Sequence, residues 1–529
     1  MRHLARLTAI TVVLAASAAP AGAATLVVAS EDGPDSLDPA LAYRSDAWQV
    51  LANCGEGLVA YRRVAGRAGA GVVPALAEAM PRVSAGGTRL VFTLRPEARF
   101  GPPASRAVRP SDVKASIERL FLARSPGRGL FRGLRGAEEF ERTRDDGIPG
   151  IVARDDAREV ELRLTGSDPA FLRVLSLPFA FVVPQGTPPA DQSAAGLSTA
   201  GPYRIADYEP GARIELEANP GYAPGAAGPA RPGPDRIEVR IGLDAAAGVR
   251  GVAGGTVDYV QPRPGAEEVA AARGAGSRAR IHRWVEGSTY YFFMNTRRAP
   301  FDDVRVRRAV NLAIDRSALA SEFRGAAAPS SQVLPPGVPG HRNVEAVPAP
   351  DRDGARALIR VAGATGAPVV VWGHTTEPSP AVTEGLAATL RAIGLRATTR
   401  LWERSEMLTA LSDPAAASQI GYARWRQDYP DGADWYPLLL SRAGIREDGN
   451  LNYSLIGDAG LDALMARAAR TWDPALRAAR WAGVDRAVAR LAPWAPYANG
   501  VRVDITSSRV RGYVAHQLYG FLWMRARLA

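Results

Sequence analysis

The chain has 529 residues and 47% hydrophobic content, enough for several cored domains and too apolar for a disordered polymer. Its formal charge of +11 comes from arginines scattered without a dense tract or a nucleic-acid-binding motif, so the charge reads as a solvated basic surface and no nucleic-acid partner is expected. A single cysteine, Cys54, excludes an internal disulfide and reads as a small buried apolar residue.

In chain order, Arg2 and Arg6 flank a short basic start, and Leu7 to Ala19 is almost wholly apolar or small. Ala21-Gly22-Ala23 then forms an A-x-A site. The pattern predicts a signal peptide over 1–23, with Ala24 as the mature start, because the apolar run is too short for a permanent span. No cysteine stands directly after the site to take a lipid, since Cys54 lies well inside the mature chain. The mature chain is therefore expected to be soluble, periplasmic or secreted, and to meet a membrane only through a partner.

Alternation predicts half-buried strands at Leu90, Phe92 and Leu94, at Ile214 and Leu216, and at Ile237, Val239, Ile241 and Leu243. Helical spacing follows Pro110-Ser111-Asp112, where Val113, Ile117, Leu120 and Phe121 share a face and Ser111 is the expected N-cap. A second helix follows Pro300-Phe301-Asp302-Asp303, burying Val306, Val310, Ala313 and Ile314 behind an aspartate cap. Gly/Pro/Ala-rich stretches at 220–234, 326–339 and 347–350 read as loops. Strands and helices mix irregularly, which predicts an α/β protein of several lobes rather than a barrel or a repeat array.

Several separated segments occur in the order found in family 5 of the bacterial solute-binding proteins, the peptide- and nickel-binding receptors of ABC transporters. Asp35-Ser36-Leu37-Asp38-Pro39 resembles the family's SLDP turn, and Glu56-Gly57-Leu58-Val59 its EGL. Leu90 to Arg99 resembles the FxLRxGxxF hairpin, with Pro110 to Val113 as the helix start after it. Gly201-Pro202-Tyr203 and Asn219-Pro220-Gly221-Tyr222 are similar to the GPY and NPxY pair. The match runs closest from Met294-Asn295-Thr296 through Pro300–Ala309 to Ile314-Asp315-Arg316, and Trp425 with Asp428-Tyr429-Pro430-Asp431 resembles the W..DYPD segment. Most of these residues also have a plain folding role, since Gly-Pro sets a turn and Asp caps a helix.

The resemblance implies an α/β, two-lobed fold like that of periplasmic binding proteins (type II, cluster C), with an extra domain inserted in the N-terminal lobe. Domain I would be built from 24–52, 197–282 and 497–529, domain II from the insertion 53–196, and domain III from 283–496. It also implies a monomeric receptor, not an enzyme, with no cofactor, metal or catalytic residue of its own. Such a receptor closes about a hinge on a short peptide or similar small solute and delivers it to the permease subunits of an ABC transporter. In peptide-binding relatives an extended ligand adds as a strand and its ammonium pairs with an aspartate. Carried over by position, that aspartate is Asp428, and the strand-like contacts fall to Arg424-Trp425-Arg426 and Tyr43-Arg44-Ser45, with Trp425 as a cleft wall. The chain departs from the family at Arg424, where glycine is usual, and at Gly432, where proline is usual. An extended 422–428 segment would place Arg424, Arg426 and Asp428 on one face, and Ala423 and Trp425 on the other. Two guanidiniums beside a carboxylate suit a zwitterionic ligand with an acidic group, unless they merely pair with neighbouring acids.

Two other readings are weaker. A receptor for a chelated metal such as nickel would need a small chelator, because no metal-ligating histidine or cysteine spacing is present. A secreted serine hydrolase would rest on Gly196-Leu197-Ser198-Thr199-Ala200, a degenerate nucleophile elbow with none of His282, His341, His374 or His516 in a recognisable context. Gly69-Ala70-Gly71 and Gly274-Ala275-Gly276 open no phosphate-binding loop.

Overall fold

Two strands much longer than the rest organise the molecule. The computed structural model describes residues 24–229, 231–342, 347–447 and 449–529; the expected signal peptide lies outside the described residues. The strands of the main sheet are β1 (Thr25–Ser30), β2 (Tyr203–Glu209), β3 (Arg213–Ala218), β4 (Arg236–Ile241), β5 (Tyr259–Val260), β6 (Ala279–Met294), β7 (Ala327–Pro329), β8 (Pro368–His374), β9 (Arg396–Trp402), β10 (Ile420–Arg426) and β11 (Trp494–Ser507). Among the described residues they form one sheet in the order β9-β8-β10-β6-β11-β5-β1-β4-β3-β2, with β7 also paired to β11.

The long strands β6 and β11 run antiparallel through both halves of this sheet. Ala279–Val285 faces Val501–Ser507, and Thr289–Phe293 faces Trp494–Asn499. Between them the register shifts, leaving Glu286, Gly287 and Ser288 in an irregular gap. One half of the sheet is filled by the early strands and the other by β8, β9 and β10, so β6 and β11 are the crossing strands between two lobes.

Periodicity explains how β6 can be buried on both sides. Tyr290, Phe292 and Met294 enter one core, with Val306, Val310, Leu386 and Ile420. Tyr291 and Phe293 enter the opposite core, with Trp435, Trp481, Met465 and Trp494. A strand covered by helices on both faces needs a continuous apolar run rather than alternation, and Tyr290–Met294 is one. A separate four-stranded sheet, built from Arg82–Ser84, Arg89–Thr93, Glu159–Arg163 and Ile151–Arg154, packs its own core around Leu90, Phe92, Ile117, Val160 and Leu162.

The expected strands and both helices form, except that Leu94 and Leu243 lie just past the ends of their strands, and Gly201-Pro202 precedes β2. Asp303 caps the helix Val304–Ala313 by accepting the Arg305 amide, and Val306, Val310, Ala313 and Ile314 are buried. Two expectations need correction. Ser111 does not cap the helix Pro110–Leu122: Arg109 is the N-cap residue, and Asp112 reaches back to accept its amide at 2.8 Å. Ser111 instead donates to Asp155 at 2.8 Å, because proline at the first helical position moves the helix start two residues earlier. The 326–339 stretch is not all loop, since Ala327–Pro329 pairs with Ala498–Gly500 at the β11 edge.

Candidate functional site

Strand β10 pairs with β6 along its whole length, with Arg424 opposite Tyr290 and Arg426 opposite Ser288. On its other side β10 meets β8 only through Ile420 and Gly421. The Gln427 amide donates to the Gly287 carbonyl at 2.9 Å, which sets the alternation of the ladder. Residues 423, 425 and 427 direct their backbone groups at β6, whereas the N–H and C=O groups of Arg424 and Arg426 point the other way. Among the described residues no strand covers that edge. The side chains alternate as expected: Tyr422 belongs to one core and Ala423 and Trp425 to the other, so Arg424 and Arg426 share the Tyr422 face. Arg424 lies over the Tyr290 ring, 5.0 Å from its centroid.

The strand ends at Arg426, and Asp428 is set by a turn rather than by the pleat. The Asp428 amide donates to Asp434 at 3.0 Å, and its carboxylate accepts the Tyr43 hydroxyl at 3.1 Å. Burial raises the Asp428 carboxyl above its ordinary range, while the Tyr43 hydroxyl and Arg426 pull it back. No cation lies within ion-pairing distance of Asp428 among the described residues. Asp434, buried beneath it, is pushed well up by burial and then by the Asp428 charge.

The facing segment is placed by the first matched motif. The Asp35 carboxylate accepts the amides of Tyr43 at 2.8 Å and Arg44 at 3.0 Å. Asp38 is fully buried and holds Arg119 in a bidentate pair at 2.7 and 2.5 Å, a geometry that only arginine supplies. Those two amides are thus occupied, and the segment faces the cleft through its side chains. The Tyr43 ring stacks on Phe179 and meets Trp48 edge-on. Ser45 begins the helix Ser45–Cys54.

Two adjoining cavities lie between these walls. The smaller, of about 180 Å³, is lined by Tyr43, Ser45, Trp48, Arg426, Gln427, Asp428 and Leu518. A larger one, of about 430 Å³, takes in Arg44, Ser45, Gln261, Arg263, Glu286 and Arg426. Ser45, Arg426 and Leu518 line both. Arg424 is not among the lining residues, because its guanidinium turns back to Glu286 at 2.8 Å. Trp425 lines neither cavity either, since it faces the opposite core and donates its indole N–H to Asp434 at 3.4 Å.

The residue that sequence reasoning missed is Glu286, 1% exposed, in the irregular gap where the strands cross. It accepts Arg263 at 2.7 Å and Arg424 at 2.8 Å. Burial opposes its ionisation, yet Arg263, Arg424 and Arg426 hold its carboxyl down at about 2. Gly500 opposite makes room for it, since a Cβ there would stand 2.5 Å from both the Glu286 carboxylate and the Ser288 hydroxyl. A detectable signal existed in the sequence: Glu286-Gly287 interrupts an apolar strand, and glycine inside a strand marks a bulge or a close approach. Ser198 sits elsewhere, buried, with its hydroxyl accepting the Ala104 amide at 2.9 Å, so its oxygen serves the packing of that segment.

Comparison with known proteins agrees with this architecture. The family described as "Bacterial extracellular solute-binding proteins, family 5 Middle" matches residues 71–446. The chain is 27% identical to a probable di/tripeptide-binding protein 5 of Pseudomonas aeruginosa, over 94% of each chain. It is 29% identical to di/tripeptide-binding protein 4 of the same organism, over 98% of this chain and 97% of that one. Among solved structures, the clavulanic acid biosynthesis oligopeptide binding protein 2 superposes with a TM-score of 0.84 at 25% identity, covering 96% of this chain and 95% of that chain.

Proposed function

The chain belongs to family 5 of the bacterial extracellular solute-binding proteins, and on that premise we propose that it is the extracytoplasmic receptor of an ABC transporter, capturing a short peptide between its lobes and delivering it to the permease. One observation carries this reading. The unpaired edge of Arg424 and Arg426 leads straight to Asp428, a half-buried carboxylate with no cation within ion-pairing distance among the described residues. An extended peptide can add to that edge through main-chain hydrogen bonds, which tolerate any side chain, while its ammonium neutralises Asp428. The names of the similar di/tripeptide-binding proteins support the same ligand class.

Both walls of the cleft come from one chain, so a single subunit suffices. The two lobes, joined by β6 and β11, close on the ligand about those strands, and the closed form is what the permease recognises. The segments 24–52, 197–282 and 497–529 form domain I, 53–196 an inserted domain and 283–496 the other lobe; the separate four-stranded sheet within 53–196 supports that division. Export removes residues 1–23 and leaves the mature chain in the periplasm or outside the cell. Among the described residues no helix is long and apolar enough to cross a membrane, and N-terminal sequencing of the exported form should begin at Ala24.

Native mass spectrometry of protein purified without refolding is expected to show a co-purified short peptide, and calorimetry should show binding of di- or tripeptides. No bound solute, together with no binding of any peptide at millimolar concentration, would overturn the proposal.

A further inference from the structure

Arg426 differs from every other arginine around the cleft. Arg44 pairs with Asp46 at 2.9 Å and Asp32 at 3.4 Å. Arg263 and Arg424 share Glu286. Arg502 pairs with Asp504 at 3.0 Å and donates to the Gln261 carbonyl. Arg426 has no carboxylate within ion-pairing distance among the described residues, and its one polar contact is the Ser45 hydroxyl at 3.4 Å. A guanidinium carries five donors, so most of its hydrogen-bonding capacity is unspent inside the cleft.

None of the acids nearby pairs with it. Arg263, Arg424, Arg426 and Arg502 converge here, with buried Glu286 and Asp504 as their counter-ions. Asp504 is already saturated by Trp284 at 2.8 Å, Tyr259 at 3.2 Å and Tyr513 at 2.6 Å as well as by Arg502. The other acids lining the large cavity are Glu31, Asp32 and Asp46, and the latter two serve Arg44. Over the whole cavity the acids match the arginines in number, yet among the described residues none stands within ion-pairing distance of Arg426, which is left as the unpaired cation of the group.

Position decides which ligand group would meet it. Arg426 stands between the two cavities and shares the smaller one with Asp428. A ligand whose ammonium sits at Asp428 has its first side chains next to Arg426. The terminal carboxylate of an extended tripeptide lies about 10 Å further along. We infer that Arg426, which lines the 430 Å³ cavity with Arg263 and Arg502, is a subsite for a side-chain carboxylate, so that this receptor selects short peptides bearing an acidic residue near the amino terminus. The inference rests on the peptide reading of the cleft and assigns it a ligand class.

Calorimetry with matched tripeptides tests it: Glu-Ala-Ala against Gln-Ala-Ala, and Ala-Glu-Ala against Ala-Gln-Ala. Each pair differs only in one side-chain charge and keeps both termini. In the wild type, at least one acidic peptide should bind about 10-fold or more tightly than its amide partner, the usual scale for a charge-assisted hydrogen bond. Arg426→Gln should bring that ratio close to one, and Arg426→Lys should keep part of it. Added salt should shrink the wild-type ratio. A ratio near one in the wild type for both pairs, or a ratio that survives Arg426→Gln, overturns the inference while leaving the peptide reading standing. Failure of all four peptides to bind, at concentrations where other peptides do, overturns it too. Failure of every peptide tried removes the peptide reading and this inference with it.

Discussion

Glu286→Gln should destabilise the protein at neutral pH and do so less as the pH falls. The carboxylate is 1% exposed and answers to Arg263 and Arg424 directly, with Arg426 nearby. Glutamine keeps the shape but removes the charge, leaving those guanidiniums without a buried counter-ion. With the folded carboxyl at about 2 and an unfolded glutamate near 4.3, the difference is worth about 3 kcal/mol. A depressed carboxyl contributes stability that is present above the unfolded value and is lost as pH falls through the folded one. The gap between wild type and variant should therefore be about 3 kcal/mol from pH 7 to pH 5 and fall to less than half of that by pH 3. Urea midpoints of both proteins across that range measure it. A gap that stays constant with pH would show that packing, not charge, is lost, and would refute the electrostatic account of the strand crossing.

Asp428→Asn should weaken peptides with a free amino terminus by about 10- to 100-fold and leave their N-acetylated forms unchanged; equal effects on both would remove the ammonium role. Saturating peptide should lower the radius of gyration in small-angle scattering and raise stability by about 2.7 kcal/mol at 100 times Kd, and an unchanged radius would count against hinge closure. Asp431→Asn should cost about 3 to 5 kcal/mol, because fully buried Asp431 holds Arg477 at 2.6 Å and Arg173 at 3.0 Å. A thermal midpoint unchanged from wild type would show those arginines finding other partners.

The folding elements were legible because their signals are local. Asp303 caps its own helix, Gly201-Pro202 turns the chain before β2, and Val306, Val310, Ala313 and Ile314 are spaced for one buried face. The helix at Pro110 shows the limit of such reasoning, since the sequence identifies the helix but caps it at Ser111, whereas Arg109 is the N-cap residue and Asp112 supplies the capping oxygen.

The candidate site divided along the same line. Alternation within one strand put Arg424 and Arg426 on a common face, and a motif match brought Asp428 and Tyr43 into consideration. What each arginine does there depended on residues far away in the chain. Arg424 is taken by Glu286, 138 positions earlier, and so ceases to be available to a ligand. Arg426, on the same face, pairs with no acid among the described residues and stays available. By itself the sequence determined that strands lie around Leu90, Ile214 and Ile237 and helices after Pro110 and Asp303, which side of each is buried and which family pattern the chain follows, because those follow from neighbours along the chain. Only the tertiary structure decided which charges cancel and which remain, because ion pairing depends on separation in space, and the crossing of β6 and β11 brings together Arg263, Glu286, Arg426 and Arg502 from four different segments.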